Sequence, residues 1–167
     1  RYFASYCQYS SRYDAYKEGT ILNAFKPEFS NGALMDIGIY CIYPLVVLFG
    51  KPDEAKAQGV MLDSGVDGEG SIVLKYKEID AVIMYSKITD SQLPAEIQGE
   101  KGNIVIDKGH RPEGAEIRFR GGGSESITRE QKEASMYYEA EEFVGLVKSG
   151  KLESATNTLS NSLAVME

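Results

Sequence analysis

The residues best suited to chemistry fall in one short segment, Asn31 to Pro44, which reads Asn-Gly-Ala-Leu-Met-Asp-Ile-Gly-Ile-Tyr-Cys-Ile-Tyr-Pro. Asp36 and Tyr40 stand four positions apart, so on a helix their side chains share a face. A carboxylate accepts hydrogen bonds and a phenol both gives and takes a proton. Asp36 also sits near the start of the expected helix, where the dipole favours an anion. Gly38, between the two, costs about 1 kcal/mol of helix propensity relative to alanine. Close approach of another backbone or of a ligand would compensate. Pro44 cannot bond the carbonyl four residues back, which belongs to Tyr40, so a loosened turn is expected at the tyrosine. The plainer alternative is that Asp36 caps or salt-bridges locally and Tyr40 fills core.

Other chemistries lack their residues. His110 is the single histidine, in a loop-like Lys-Gly-His-Arg-Pro stretch, and reads as an exposed loop residue. With no Cys-x-x-Cys beside it, the donors for a zinc site are missing, and no metal is expected. No Gly-x-Gly-x-x-Gly follows a strand, and there is no P-loop or Gly-x-Ser-x-Gly. Gly121 to Gly123 lies between two strands and is not a nucleotide motif.

The elements that must position the pair read as follows. Residues 2–10 alternate, with Tyr2, Ala4 and Tyr6 on one face, and are strand-like. Asp14 to Gly19 is a turn or short helical stretch, and Thr20 to Phe25 reads as a short strand. A helix follows from Ala33 to Phe49, capped by Ser30 or Asn31 and stopped by Gly50. Its apolar stripe is Leu34, Ile37, Cys41, Leu45 and Leu48. Strands are expected over 54–62, 69–76, 79–87, 93–99, 103–107, 115–120 and 125–128, with Glu100-Lys101-Gly102 as a hairpin turn. Helical periodicity returns from Met136, with Ser135 as cap and Gly150 as stop. A further helical pattern covers Asn157 to Glu167. Successive strands joined by turns imply an α+β fold with an antiparallel or mixed sheet. Strands 69–76 and 79–87 are apolar on both faces, which implies layers on both sides.

The length of 167 residues and the 43% hydrophobic content suit one globular domain. The net charge of −7 argues against nucleic-acid binding. Apolar runs fall short of the roughly 20 residues of a membrane span, since Gly38 and Pro44 interrupt the longest, Ile37 to Phe49. Cys7 and Cys41 are too few for a disulfide framework and read as thiols of a cytoplasmic protein. Arg1 is not a start methionine, and the last helical pattern stops without a cap, so a longer protein is expected.

The stretch Gly32 to Tyr40 resembles the signature of the Gfo/Idh/MocA oxidoreductases. Tyr9 to Asp14, Asn23 to Ser30, Ile97 to Gly102 and Met136 to Phe143 also resemble that family, in order along most of the chain. The resemblance implies the second, C-terminal domain of a two-domain enzyme: an open, largely antiparallel mixed sheet with helices packed on one face. The first domain, a Rossmann unit binding NAD or NADP and carrying a Glu-Lys-Pro lysine, has no match here. Tyr40, where many members carry histidine, resembles the glucose–fructose oxidoreductase and dihydrodiol dehydrogenase branches. The resemblance implies Tyr40 as acid/base and Asp36 as holder of a substrate hydroxyl, with hydride passing between a nicotinamide and a sugar, cyclitol or dihydrodiol. A free phenol has a pKa of about 10, so the nucleotide half's lysine would serve to lower it. Arg12 and Tyr13 are candidate substrate contacts; otherwise Arg12 pairs with Asp14 or lies free at the surface. Tyr2, Tyr6, Tyr9 and Tyr13 stack on a sugar or simply pack on the sheet. A homodimer through the sheet face is expected. The rival expectation is a non-catalytic dimerisation or sugar-binding module.

Overall fold

The alternation after Arg1 becomes strand β1 (Tyr2–Cys7), with Tyr2 and Ala4 buried on one side. A computed structural model describes residues 1–134 and 136–167. Helix α1 (Arg12–Lys17) follows, and then α2 (Ile39–Phe49). Next come β2 (Glu54–Met61), β3 (Asp67–Lys75), β4 (Asp80–Ser86), β5 (Ala95–Gln98), β6 (Gly102–Ile106), β7 (Ala115–Phe119) and β8 (Ser124–Ser126). Helices α3 (Tyr137–Ser149) and α4 (Leu159–Met166) close the chain. The strands form one eight-stranded sheet in the order β2-β3-β4-β1-β5-β6-β7-β8. Only β1 and β4 pair in parallel; every other pairing is antiparallel. This is the open, largely antiparallel mixed sheet expected for an α+β fold. The β5–β6 hairpin closes where Gly99 N–H donates to the Gly102 carbonyl at 3.0 Å.

The core lies between α2 and one sheet face. Cys41 and Leu45 of α2 meet Tyr2, Ala4, Ile72, Leu74, Ala81 and Ile83. Each such aliphatic side chain contributes about 1.5–3 kcal/mol when fully buried. The Tyr2 hydroxyl satisfies itself by donating to the Cys41 carbonyl at 3.1 Å. Leu48 was expected in this stripe but is 58% exposed, because α2 turns Val46 inward in its place.

The approach to α2 departs from the expected helix. Residues Leu34–Gly38 form a π-helical turn, and α-helical geometry begins only at Ile39. The loosened turn therefore precedes Tyr40 instead of falling on it, and Pro44 is accommodated inside α2. Neither Ser30 nor Asn31 caps this segment. Ser30 adopts a left-handed conformation, and the Asn31 amide donates to the Asn23 carbonyl. Asp67 at the start of β3 caps instead, accepting from Leu34 N–H at 2.7 Å. Thr20 to Phe25 is not a strand; Asn23–Phe25 is a 3-10 turn that buries Ala24 and Phe25 in a satellite cluster with Val66. By length and composition alone, Pro27–Phe49 is enough to cross a bilayer, longer than the sequence reading allowed. In this fold the segment serves the core, with Cys41, Leu45 and Val46 buried.

The second sheet face is open, contrary to the expectation of layers on both sides. Val73 is 49% exposed, beside Val82 across the ladder, and Val82 is beside Phe3. Among the described residues nothing covers this patch. Helix α3 ends as expected at Gly150, which takes a left-handed conformation. The expected cap, Ser135, lies outside the described residues.

Candidate functional site

Asp36 is placed by the π turn, which rests on β4. Gly38 is the point of contact. A Cβ there would lie 3.0 Å from Leu34 Cδ1 and 3.1 Å from Tyr85 Cγ. The close approach expected at Gly38 is thus to an aromatic ring, neither a backbone nor a ligand. The Asp36 side chain is 43% exposed, and its Oδ2 accepts from Lys87 Nζ at 2.6 Å. The Lys87 side chain is only 4% exposed. Its ammonium also donates to the Ala24 carbonyl at 3.0 Å and lies 5.0 Å from the centre of the Phe25 ring.

Sequence reasoning missed Lys87, although a signal was present. Ala81, Ile83 and Tyr85 form the buried face of β4, and residue 87 falls in phase with them. A lysine continuing an apolar face must find a buried partner. Asp36 is therefore salt-bridged, but not locally as the plainer alternative had it: the partner follows β4 and lies 51 positions away in sequence.

Tyr40 is not core filler: it is half exposed. Tyr6, from β1, meets it edge-on with ring centres 5.6 Å apart. Burial, with Tyr40 and Asp36 close by, pushes the Tyr6 phenol above its ordinary value. The other neighbour of Tyr6 is His110, stacked on it at 3.8 Å with the rings 3° from parallel. The expectation of a free loop histidine is corrected, because the ring is held half-buried against Tyr6. Its position in the loop after β6 gave no sequence signal of that contact.

A cleft of about 380 Å³ opens beside Tyr40, lined also by Tyr43, Pro44, His110, Glu139 and Asn157. Asp36 is not among its lining residues. A second hollow of about 310 Å³ lies on the other side of His110, between Tyr6, Gln8, Asp90 and Lys108. A third of about 330 Å³ lies among Gln58, Glu69, Met84 and Thr89. Neither of these two is lined by Asp36 or Tyr40.

Arg12 and Tyr13 open α1. Tyr13 packs at 5.8 Å from Phe25 and 5.6 Å from Tyr16, so it belongs chiefly to that cluster. Arg12 is exposed, and the Arg12–Asp14 ion pair does not form. Asp14 instead pairs with Lys17 at 3.0 Å and accepts from Tyr9 at 2.6 Å. The structure brings Tyr40 and Tyr6 into contact, ties Asp36 to Lys87, and places Tyr13 in a separate aromatic group.

Among the described residues, no three His, Cys, Asp or Glu side chains are grouped to hold a metal. A dinucleotide needs a glycine-rich turn after a parallel strand, at a helix N-terminus. The one parallel pair here, β1 and β4, is followed at neither strand by such a turn.

Comparison with known proteins agrees with this reading of the fold. The GFO/IDH/MocA C-terminal domain matches residues 5–105. The scyllo-inositol 2-dehydrogenase (NADP(+)) IolU of Bacillus subtilis is 62% identical over 98% of this chain and 50% of its own length. The trans-1,2-dihydrobenzene-1,2-diol dehydrogenase of Xenopus laevis is 37% identical over 52% of this chain and 27% of its own. The 3-ketoreductase KijD10 of Actinomadura kijaniata, crystallised with NADP and TDP-benzene, superposes with a TM-score of 0.74 at 18% identity, over 98% of this chain and 50% of that one. The chain thus spans about half the length of IolU and KijD10. With more than half its residues matched, this chain belongs to the GFO/IDH/MocA family, through that family's C-terminal domain.

Proposed function

We propose that this chain is the substrate-side domain of an NADP(+)-dependent dehydrogenase acting on a cyclitol or related polyol. The observation that carries the reading is that Asp36 and Tyr40, four residues apart where the π turn meets α2, are both partly exposed, with Tyr40 opening on a cleft. The identity of 62% to IolU supports a cyclitol and NADP(+) over the sugar and dihydrodiol alternatives.

Oxidising an alcohol removes a hydride and a proton from one carbinol. NADP(+), held by the other half of the protein, would supply the hydride acceptor. Everything else falls to side chains. Tyr40 as the phenolate takes the hydroxyl proton during oxidation, and as the phenol returns it during reduction. Asp36, with Oδ2 committed to Lys87, offers Oδ1 to a hydroxyl and so orients the ring. The cleft beside Tyr40 holds the remaining hydroxyls through Glu139, Asn157 and His110. Arg12 and Tyr13 stay as outer contacts that a ring reaches only if it extends past the Phe25 cluster.

The open sheet face supports a homodimer, since Phe3, Val73 and Val82 form an apolar patch that a second copy would cover. Both cysteines are free thiols, which suits a cytoplasmic protein. The direct test is a screen of cyclitols, sugars and dihydrodiols on the full-length protein with NAD(+) and NADP(+). Turnover of scyllo-inositol with NADP(+) is expected. Turnover of none of these classes with either nucleotide would end the proposal and leave the non-catalytic module.

A further inference from the structure

We propose that Lys87 is a positioning residue for Asp36, fixing its carboxylate by one oxygen and leaving the other free for a polyol hydroxyl. The inference rests on the reading of Asp36 given under the proposed function.

An ammonium taken out of water is strongly disfavoured unless its donors are met and its charge is balanced. Lys87 meets both demands by a specific arrangement. One donor goes to Asp36 Oδ2, one to the Ala24 carbonyl, and the face of Phe25 lies 5.0 Å away. Asp36 is the only carboxylate that pairs with it among the described residues.

The lysine's backbone is equally fixed. Its N–H donates to the Gly68 carbonyl and its carbonyl accepts from Ser10 N–H, both at 2.9 Å. Lys87 thus sits on the end of a rigid strand, whereas Asp36 sits on a π turn, a looser element. A support of that kind is what a loosely built site needs to keep an acceptor in place.

Geometry then limits what Asp36 can do. The ammonium is a donor and cannot accept, so Oδ2 is the acceptor of that pair and its direction is fixed. Oδ1 accepts no hydrogen bond among the described residues, and the side chain is partly open to solvent. A hydroxyl fits that oxygen; a second anion, such as a substrate carboxylate, does not.

The alternative is that Lys87 simply clips the Phe25 turn to the sheet. A double-mutant cycle in the full-length protein separates the two, with NADP(+) and scyllo-inositol as probes. Both kcat/KM and the Kd of the polyol in the nucleotide complex are read. Lys87→Met is expected to lower kcat/KM by about tenfold or more, with NADP(+) affinity unchanged. Adding Lys87→Met to Asp36→Asn should then change both readings by less than about twofold. Lys87→Arg should recover part of the loss, since it keeps the charge. Where Lys87→Met is not obtained folded, Lys87→Gln carries the same cycle. The inference is overturned if the Lys87 change leaves kcat/KM within about twofold of wild type. It is equally overturned if the change costs the same factor with and without Asp36→Asn. If Asp36→Asn itself leaves both readings unchanged, the reading of Asp36 fails, and this inference with it.

Discussion

Gly38 lies against the ring of Tyr85, so close that a methyl group on the glycine would come within 3.1 Å of Cγ and 3.2 Å of Cδ1. This contact seats the π turn on β4 and sets how Asp36 and Tyr40 leave the helix on either side of it.

Gly38→Ala should therefore be destabilising despite its better helix propensity. The propensity gain is about 1 kcal/mol. Overpacking in a tight contact costs about 1–3 kcal/mol. A net loss of about 1 kcal/mol is expected in urea unfolding, with Gly38→Leu losing about 3 kcal/mol or more. An alanine variant more stable than wild type would show that the contact relaxes freely.

His110 gives a pH dependence of definite sign. Burial, with Lys108 and Arg111 close by, holds its imidazole below the ordinary value, Asp107 and Glu113 opposing. The unfolded chain takes up this proton at a higher pH than the folded one. The contribution to stability is therefore whole above about pH 6.5 and declines as the pH falls through the folded value. Wild type should lose more stability between pH 7.5 and 5 than His110→Phe, which keeps a ring on Tyr6 without a titrating nitrogen. Parallel losses in thermal unfolding would mean that the stack is not maintained in solution.

The open face yields a prediction about assembly. Val73→Glu puts a charge at one end of the apolar patch, next to Val82 at its centre. Light scattering on the full-length protein should show the variant at half the wild-type mass, with its circular dichroism unchanged. An unaltered mass would place any dimer contact elsewhere.

Much of the fold was legible in the sequence because strand alternation and turn residues act locally. The Glu100-Lys101-Gly102 hairpin and the Gly150 stop form as read, and Tyr2, Ala4 and Tyr6 share a face. What was not legible depends on partners distant in sequence. The cap on the π turn comes from Asp67, 33 residues from Leu34. That carboxylate also fixes Gly32, where a Cβ would lie 2.1 Å from Asp67 Oδ1. His110 finds Tyr6 across the sheet, a contact that no local pattern encodes. Thr20 to Phe25 misled because its apolar side chains serve a satellite cluster and not a ladder. At the candidate site, the four-residue spacing indicated Asp36 and Tyr40, but only the fold connects Asp36 to Lys87. Lys87 was readable in part, from its phase with the buried face of β4.

The account stands or falls on Tyr40 as the group that moves the proton. In the full-length protein, Tyr40→Phe should lower kcat for polyol oxidation by about 10²–10⁴-fold, the range for a lost general acid–base group. The Kd for NADP(+) should stay within about twofold, since the nucleotide is proposed to be held mainly by the other half of the protein. Turnover by Tyr40→Phe within about threefold of wild type would contradict the account.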